Sequence, residues 1–190
     1  MNNLSSNGWL KRLLRPSPTR SILSLLVIGI IIGVGGLLAF DTTMKATSTE
    51  AFCTSCHEMA DNSLVQLEKT SHFKNASGVA ASCSDCHVPH EFLPKMVRKV
   101  EAAREVWGTI TGVIDTPEKY AAHAPQMKQR EINRLKANDS QECRNCHNAD
   151  RMLLAVQSTR AQKFHKRMLD GNRTCIDCHA GIAHPDNSGD

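Results

Sequence analysis

Aromatic side chains are scarce in this sequence of 190 residues, which holds two Trp, one Tyr and five Phe. A domain that fills its interior with polypeptide alone leans on such residues and on large aliphatics, and many of the aliphatics here are gathered in one N-terminal run. Something other than side chains must fill the remainder. Alternating β-branched runs are also few, which argues against a sheet protein and for helices and loops. Unpaired cysteines are missing altogether.

The eight cysteines fall into four pairs, each followed at once by histidine: Cys53-Thr-Ser-Cys56-His57, Cys83-Ser-Asp-Cys86-His87, Cys143-Arg-Asn-Cys146-His147 and Cys175-Ile-Asp-Cys178-His179. Disulfides would explain paired cysteines, and zinc would explain C-x-x-C half-sites, but neither requires a histidine after every second cysteine. Covalent haem c does. Two thiols add across the two vinyl groups of one porphyrin edge, and the next residue then lies beneath the iron. Four haem c groups are expected, on Cys53 and Cys56, Cys83 and Cys86, Cys143 and Cys146, and Cys175 and Cys178. Four large flat apolar bodies would also supply the missing interior. The formal charge of +4 falls toward neutrality once each ferric haem adds about one net negative charge through its propionates, so a nucleic-acid partner is excluded.

Ser21 to Phe40 runs for twenty residues without a charge, enough at about 1.5 Å per residue to cross a hydrocarbon core of about 30 Å. A cleaved signal peptide is the alternative, but the run exceeds a usual h-region and no A-x-A site follows it. Lys11, Arg12, Arg15 and Arg20 precede the span, while Asp41, Lys45 and Glu50 follow it, so the positive-inside rule leaves the N-terminus in the cytoplasm. Three regions are expected: a cytoplasmic basic tail (1–20), a single-pass signal anchor in a bacterial inner membrane (21–40) and a periplasmic domain (41–190). Gly29 and Gly33 form a G-x-x-x-G that would let two such spans pack as a homodimer.

The motifs start 30 residues apart in the first half, at Cys53 and Cys83, and 32 apart in the second, at Cys143 and Cys175. Spare histidines follow the same plan: His72 and His165 lie between motifs, and His90 and His184 follow closely after them. A duplicated dihaem module accounts for this. Helices are expected over Glu91–Trp107, over Glu118–Lys136 with Asp115-Thr116-Pro117 as its cap and first turn, and over Met152–Leu169. The fold class is therefore mainly α: one transmembrane helix plus a small helix-and-loop multihaem cytochrome c domain.

Low-spin haem iron takes two axial ligands. The motif histidines His87, His147 and His179 are the proximal candidates, with His57 in that place at the first motif. His72, His165 and His184 are the distal ones. His90 and His123 carry no assignment. Met59, two residues past His57, can bind haem iron and raise its potential, or it can simply be apolar packing.

The anchor, the C-x-x-C-H-x-M of the first motif, the segment Cys86-His87-Val88-Pro89-His90-Glu91-Phe92 and the ending from Cys175 to Pro185 resemble the NapC/NirT family of tetrahaem quinol dehydrogenases, over nearly the whole chain. The resemblance implies that Met59 replaces His57 as proximal ligand of the first haem, beside a quinol pocket. It also implies a lysine and an acidic residue there, matched by Lys99 and Glu105. A carboxylate near a quinol hydroxyl can accept its proton, and a lysine can hold the other oxygen. Taken without the family, the same stretch reads as a solvated amphipathic helix. The implied function is oxidation of membrane menaquinol or ubiquinol, with electrons passed to a periplasmic reductase, nitrate reductase foremost. Alternatives are a donor to a nitrite or other reductase, a passive electron-transfer module, and a terminal reductase with an open haem.

Overall fold

The structure is a computed structural model that describes residues 21–171 and 173–185. The basic tail expected over 1–20 lies outside the described residues. The chain divides into two compact units, with the division between Lys45 and Ala46.

Among its described residues the first unit is one helix, α1 (Ile22–Ala46), of 25 residues. Its length of about 37 Å exceeds an apolar core of about 30 Å, and its best window has a mean hydropathy of 2.7. It continues past Phe40 because Asp41 and Lys45, four residues apart, pair at 2.7 Å on the helix surface and support the last turns.

The second unit contains helices, turns and no strand among its described residues. Thr49 caps the short α2 (Glu50–Cys53) by accepting from the Phe52 N–H at 3.2 Å. After the first motif the backbone winds as a π-helical turn over Met59–Leu64 and tightens into α3 (Val65–Leu67). A π-turn inserts an extra residue into the helical ladder and is found chiefly where a side chain must be re-aimed. Here it begins on Met59.

Capping shapes two of the motifs in the same way. Ser82 precedes α4 (Cys83–His87), and Asp85 takes both its N–H and its hydroxyl at 2.8 Å. Thr174 precedes Cys175 and the turn α9 (Ile176–His179), and Asp177 takes its N–H at 2.8 Å and its hydroxyl at 2.9 Å. The second and fourth motifs thus share a Ser/Thr-Cys-x-Asp box that folds C-x-x-C-H into one helical turn.

The two long helices are α5 (Phe92–Ile110) and α6 (Pro117–Ala137). Thr116 caps α6 by accepting from Lys119 N–H, with Pro117 in the first turn. Then come α7 (Gln141–Arg144) and α8 (Thr159–Leu169). The helix expected over Met152–Leu169 is shorter than that, because Gln157 is extended and the Ser158 hydroxyl caps α8 through Ala161 N–H. Only a 3₁₀ turn at Leu154–Val156 precedes it.

Buried apolar residues among those described are six: Leu67, Pro89, Ile114, Leu135, Ala149 and Ile176. At about 1.5–3 kcal/mol per large buried side chain, such a core does not order a unit this long, against about 1–2 kcal/mol of backbone entropy per residue. Polar ties do part of that work. Ser140, fully buried and left-handed at φ 53°, donates to Leu135 O and accepts from Ile176 N–H at 3.2 Å. It joins the end of α6, the third motif and the fourth. Arg134 of α6 reaches Glu131, Glu142 and the Cys86 carbonyl.

Candidate haem-binding site

Three pairs of imidazoles face each other in the second unit. His87 and His184 have ring centres 6.1 Å apart, His72 and His147 6.1 Å, and His165 and His179 6.2 Å. A metal–imidazole bond of about 2.0 Å puts the ring centre about 3.1 Å from the metal, so two imidazoles on opposite faces of one haem lie about 6.2 Å apart. All three pairs meet that spacing, and each combines a motif histidine with a spare one. The residues present therefore fit bis-histidine haem at the second, third and fourth motifs.

The pairing crosses the two halves of the chain. His72, from the first half, faces the third motif, and His184, from the second half, faces the second motif, while His165 stays within its own half. The second and fourth motifs share their caps, whereas which histidine meets which does not repeat between the halves. His90 is exposed, and the ring of His123 is bonded to Lys119 O at 2.8 Å. Neither faces another histidine among the described residues.

The attachment cysteines follow one another in space as they do in sequence. A hydrogen bond between the Cys53 and Cys83 thiols holds Cys53 down to about 6, against burial and with help from the Lys99 ammonium, and pushes Cys83 up. Burial raises Cys86, with Asp85 and Cys146 adding to it. Burial likewise raises Cys143 to about 11, with Cys175 and Cys86 close by. Motif one adjoins two, two adjoins three, and three adjoins four.

The first motif has two faces. Met59 lines an apolar pocket with Leu64, Leu67, Cys83, Cys86, His87 and His184. His57 lines a different, polar cavity of about 200 Å³ with Glu58, Asp61, Asn62, Thr116 and Tyr120. Glu58 is 4% exposed, and its carboxylate makes no hydrogen bond among the described residues although His57 Nε2 stands at 3.3 Å.

A model of the NapC/NirT cytochrome c family, N-terminal region, matches residues 15–188. The chain belongs to the NapC/NirT cytochrome c family. Similar proteins include the denitrification system component NirT of Stutzerimonas stutzeri, 47% identical over 96% of this chain and 91% of that protein. The cytochrome c-type protein NapC of Paracoccus pantotrophus is 51% identical over 95% of this chain and 78% of that protein. NapC of Escherichia coli K12 is 48% identical over 93% and 90%. As a member of this family the chain binds haem c covalently, and its apolar helix suits a single-pass membrane anchor.

Lys99 and Glu105 both lie on α5, but the structure does not bring them together. Six residues at about 100° each turn them about 120° apart. Lys99 Nζ donates to Thr47 O at 2.6 Å and to Thr47 Oγ1 at 2.8 Å, and burial lowers its pKa. Glu105 accepts from Arg130 of α6 at 2.9 Å and keeps its second oxygen buried without a partner among the described residues.

Two residues in contact with the histidine pairs escaped the motif pattern. Glu131 accepts from His87 Nδ1 at 2.8 Å, and Gln157 Oε1 accepts from His165 Nδ1 at 2.6 Å. Burial works to raise Glu131, but hydrogen bonds from His87 and Arg134 outweigh it and hold the carboxyl well below its usual range. Their one sequence signal is a polar residue placed on or just before a helix that faces a ligand.

Proposed function

We propose that this chain is a membrane-anchored tetrahaem cytochrome c that oxidises menaquinol or ubiquinol and delivers the electrons to a periplasmic reductase. Periplasmic nitrate reductase is the recipient that the family resemblance implies. The N-terminus is cytoplasmic and the second unit periplasmic, on the strength of the basic residues before the span.

In this reading the eight cysteines hold four haems. His87 with His184, His147 with His72, and His179 with His165 hold three irons from both sides, and Met59 takes the first with His57 turned away. Bound haem iron supplies the one-electron exchange. The chain's own part is to bind and orient the quinol and to manage its protons.

The observation that carries the reading is the Lys99 ammonium beside Cys53 of the first motif. Its neighbour Thr47 follows directly on the end of α1 in the chain, and Lys99 is half-buried with its charge destabilised by that burial. Such a lysine gives up its bonds to Thr47 for a quinol oxygen, and it stabilises the negative charge that grows there as the proton leaves. Glu105 serves by fixing α5 against α6 through Arg130.

The test is stopped-flow mixing of the purified haem-loaded protein with a menaquinol or ubiquinol analogue. Haem reduction is expected. Lys99→Ala is expected to slow it by about tenfold or more, the worth of one charge-assisted hydrogen bond at about 1.5 kcal/mol or above. Haems that stay oxidised would leave a passive module fed by another membrane dehydrogenase.

A further inference from the structure

We propose that Glu131 is a positioning residue that sets the reduction potential of the second haem, through its hydrogen bond to the outer nitrogen of His87. The inference rests on the haem reading above and goes beyond it in ranking the haems.

The six histidines of the three facing pairs differ in what their Nδ1 atoms meet. Those of His72 and His184 are buried without a partner among the described residues. His165 has a neutral amide oxygen at 2.6 Å. Among the described residues of these pairs, His87 alone meets a carboxylate, at 2.8 Å. An imidazole bound through Nε2 donates its Nδ1–H, and a carboxylate acceptor draws that proton away. The ring gains imidazolate character, donates more strongly and favours the oxidised metal.

Glu131 is built into its place. Arg134 donates to it at 2.7 and 3.1 Å, and Arg98 stands at 3.4 Å. The same arginines clamp the motif backbone: Arg98 Nε donates to His87 O at 3.2 Å and Arg134 to Cys86 O at 3.1 Å. Arg134 also pairs with Glu142, which is buried. Two carboxylates and two guanidiniums balance to zero, so the balance tips positive if Glu131 alone is neutralised. Both effects of that change, a weaker ligand and a positive neighbourhood, raise the potential. Cys83 touches Cys53, so this adjustable site adjoins the first motif.

The experiment is potentiometric titration of the full-length, detergent-extracted haem protein, followed by visible absorption and near-infrared magnetic circular dichroism. In Glu131→Gln one midpoint of the four is expected to rise by about tenfold in its electron equilibrium, about 59 mV for one electron, and the charge-transfer band of one bis-histidine haem shifts with it. Glu131→Asp should restore part of the change. Arg98→Gln, which leaves the carboxylate and removes a compensating charge, is expected to lower the same midpoint. Four unchanged midpoints in a tetrahaem Glu131→Gln protein overturn the proposal, as does an equal shift of all four. If Glu131→Gln does not assemble, an unchanged midpoint in Arg98→Gln overturns it alone. Bis-histidine signals absent from the unaltered protein would instead sink the ligand reading beneath it.

Discussion

The ring of His72 stands edge-on to that of His147 at 73°, with centres 6.1 Å apart. The first lies between motifs one and two, and the second ends motif three. With His184 facing His87 in the opposite sense, the two halves of the chain exchange histidines, and in the proposed haem reading each half would complete a haem site of the other.

That exchange predicts a pattern of coupled losses. His72→Ala should convert one haem to high spin by magnetic circular dichroism, and so should His147→Ala. The two together should still lose only one bis-histidine haem, since both ligands serve the same iron. His72→Ala with His87→Ala should lose two. If the first double variant loses two haems and the second loses one, His72 serves the second haem and the crossover is wrong.

Ring orientation adds an independent check. The His72–His147 planes are near perpendicular, whereas the other two pairs are tilted by 40° and 38°. Crossed imidazole planes leave the iron orbitals nearly degenerate, which gives a highly anisotropic low-spin resonance. One bis-histidine haem should show it, and His72→Ala should remove it while sparing the signals of the pairs closer to parallel.

How far these features could be read in the sequence follows from how local their chemistry is. Each C-x-x-C-H motif is written in five consecutive residues, and the start of α6 is legible in Thr116 and Pro117. Ligand pairing depends on how the chain wraps, and the motif spacing carries no sign of which histidine meets which. The helix expected from Met152 overran because apolar spacing continues across Gln157, while the local competition of the Ser158 hydroxyl for the Ala161 N–H decides the start. That break leaves Gln157 extended and lets its amide reach His165. Lys99 and Glu105, taken as one site by resemblance, face different neighbours because six is not a helical repeat.

Acid should weaken the contact between α6 and the third motif. Burial raises the Glu142 pKa, but hydrogen bonds from Arg134 and Asn138 outweigh it and leave the folded value below 4.5. A depressed carboxylate contributes stability that is present above its unfolded pKa and is lost as pH falls through the folded one. Thermal unfolding of the haem protein should therefore show a falling midpoint below about pH 4.5. Glu142→Gln should flatten that fall and lower stability at neutral pH by about 1–3 kcal/mol, the cost of leaving Arg134 with one charged partner fewer. An unchanged acid limb in Glu142→Gln would rule this carboxylate out as its source.

Glu105 and Lys99 should separate in steady-state kinetics with a quinol analogue. The Glu105–Arg130 pair is more than one-third exposed on both sides, so Glu105→Gln should change stability by no more than about 1 kcal/mol and leave the quinol KM nearly unchanged. Lys99→Met should depress kcat/KM by about tenfold or more, and Lys99→Arg should recover part of it. Equal losses in Glu105→Gln and Lys99→Met would return Glu105 to the quinol site as a direct proton acceptor.

The first haem offers the sharpest choice, because its two candidate ligands face different cavities. Met59 opens the π-turn and lines the apolar pocket shared with Cys83 and His87, whereas His57 lies against the carboxylates of the polar cavity. A thioether raises the potential of its haem relative to bis-imidazole ligation, and an apolar wall suits a thioether better than an imidazole. Met59→Ala should abolish the sulfur-to-iron charge-transfer band and lower the midpoint of one haem, with the three bis-histidine signals intact. His57→Ala should leave that band in place, because the ring it removes faces Glu58 and solvent. Met59→His should give a fourth bis-nitrogen or histidine-only signal at a lower potential and keep all four haems attached, since Cys53 and Cys56 are untouched. If His57→Ala erases the first-haem signal and Met59→Ala does not, the polar cavity lies on the iron side of the motif, and the two faces of the first motif exchange the roles given to them here.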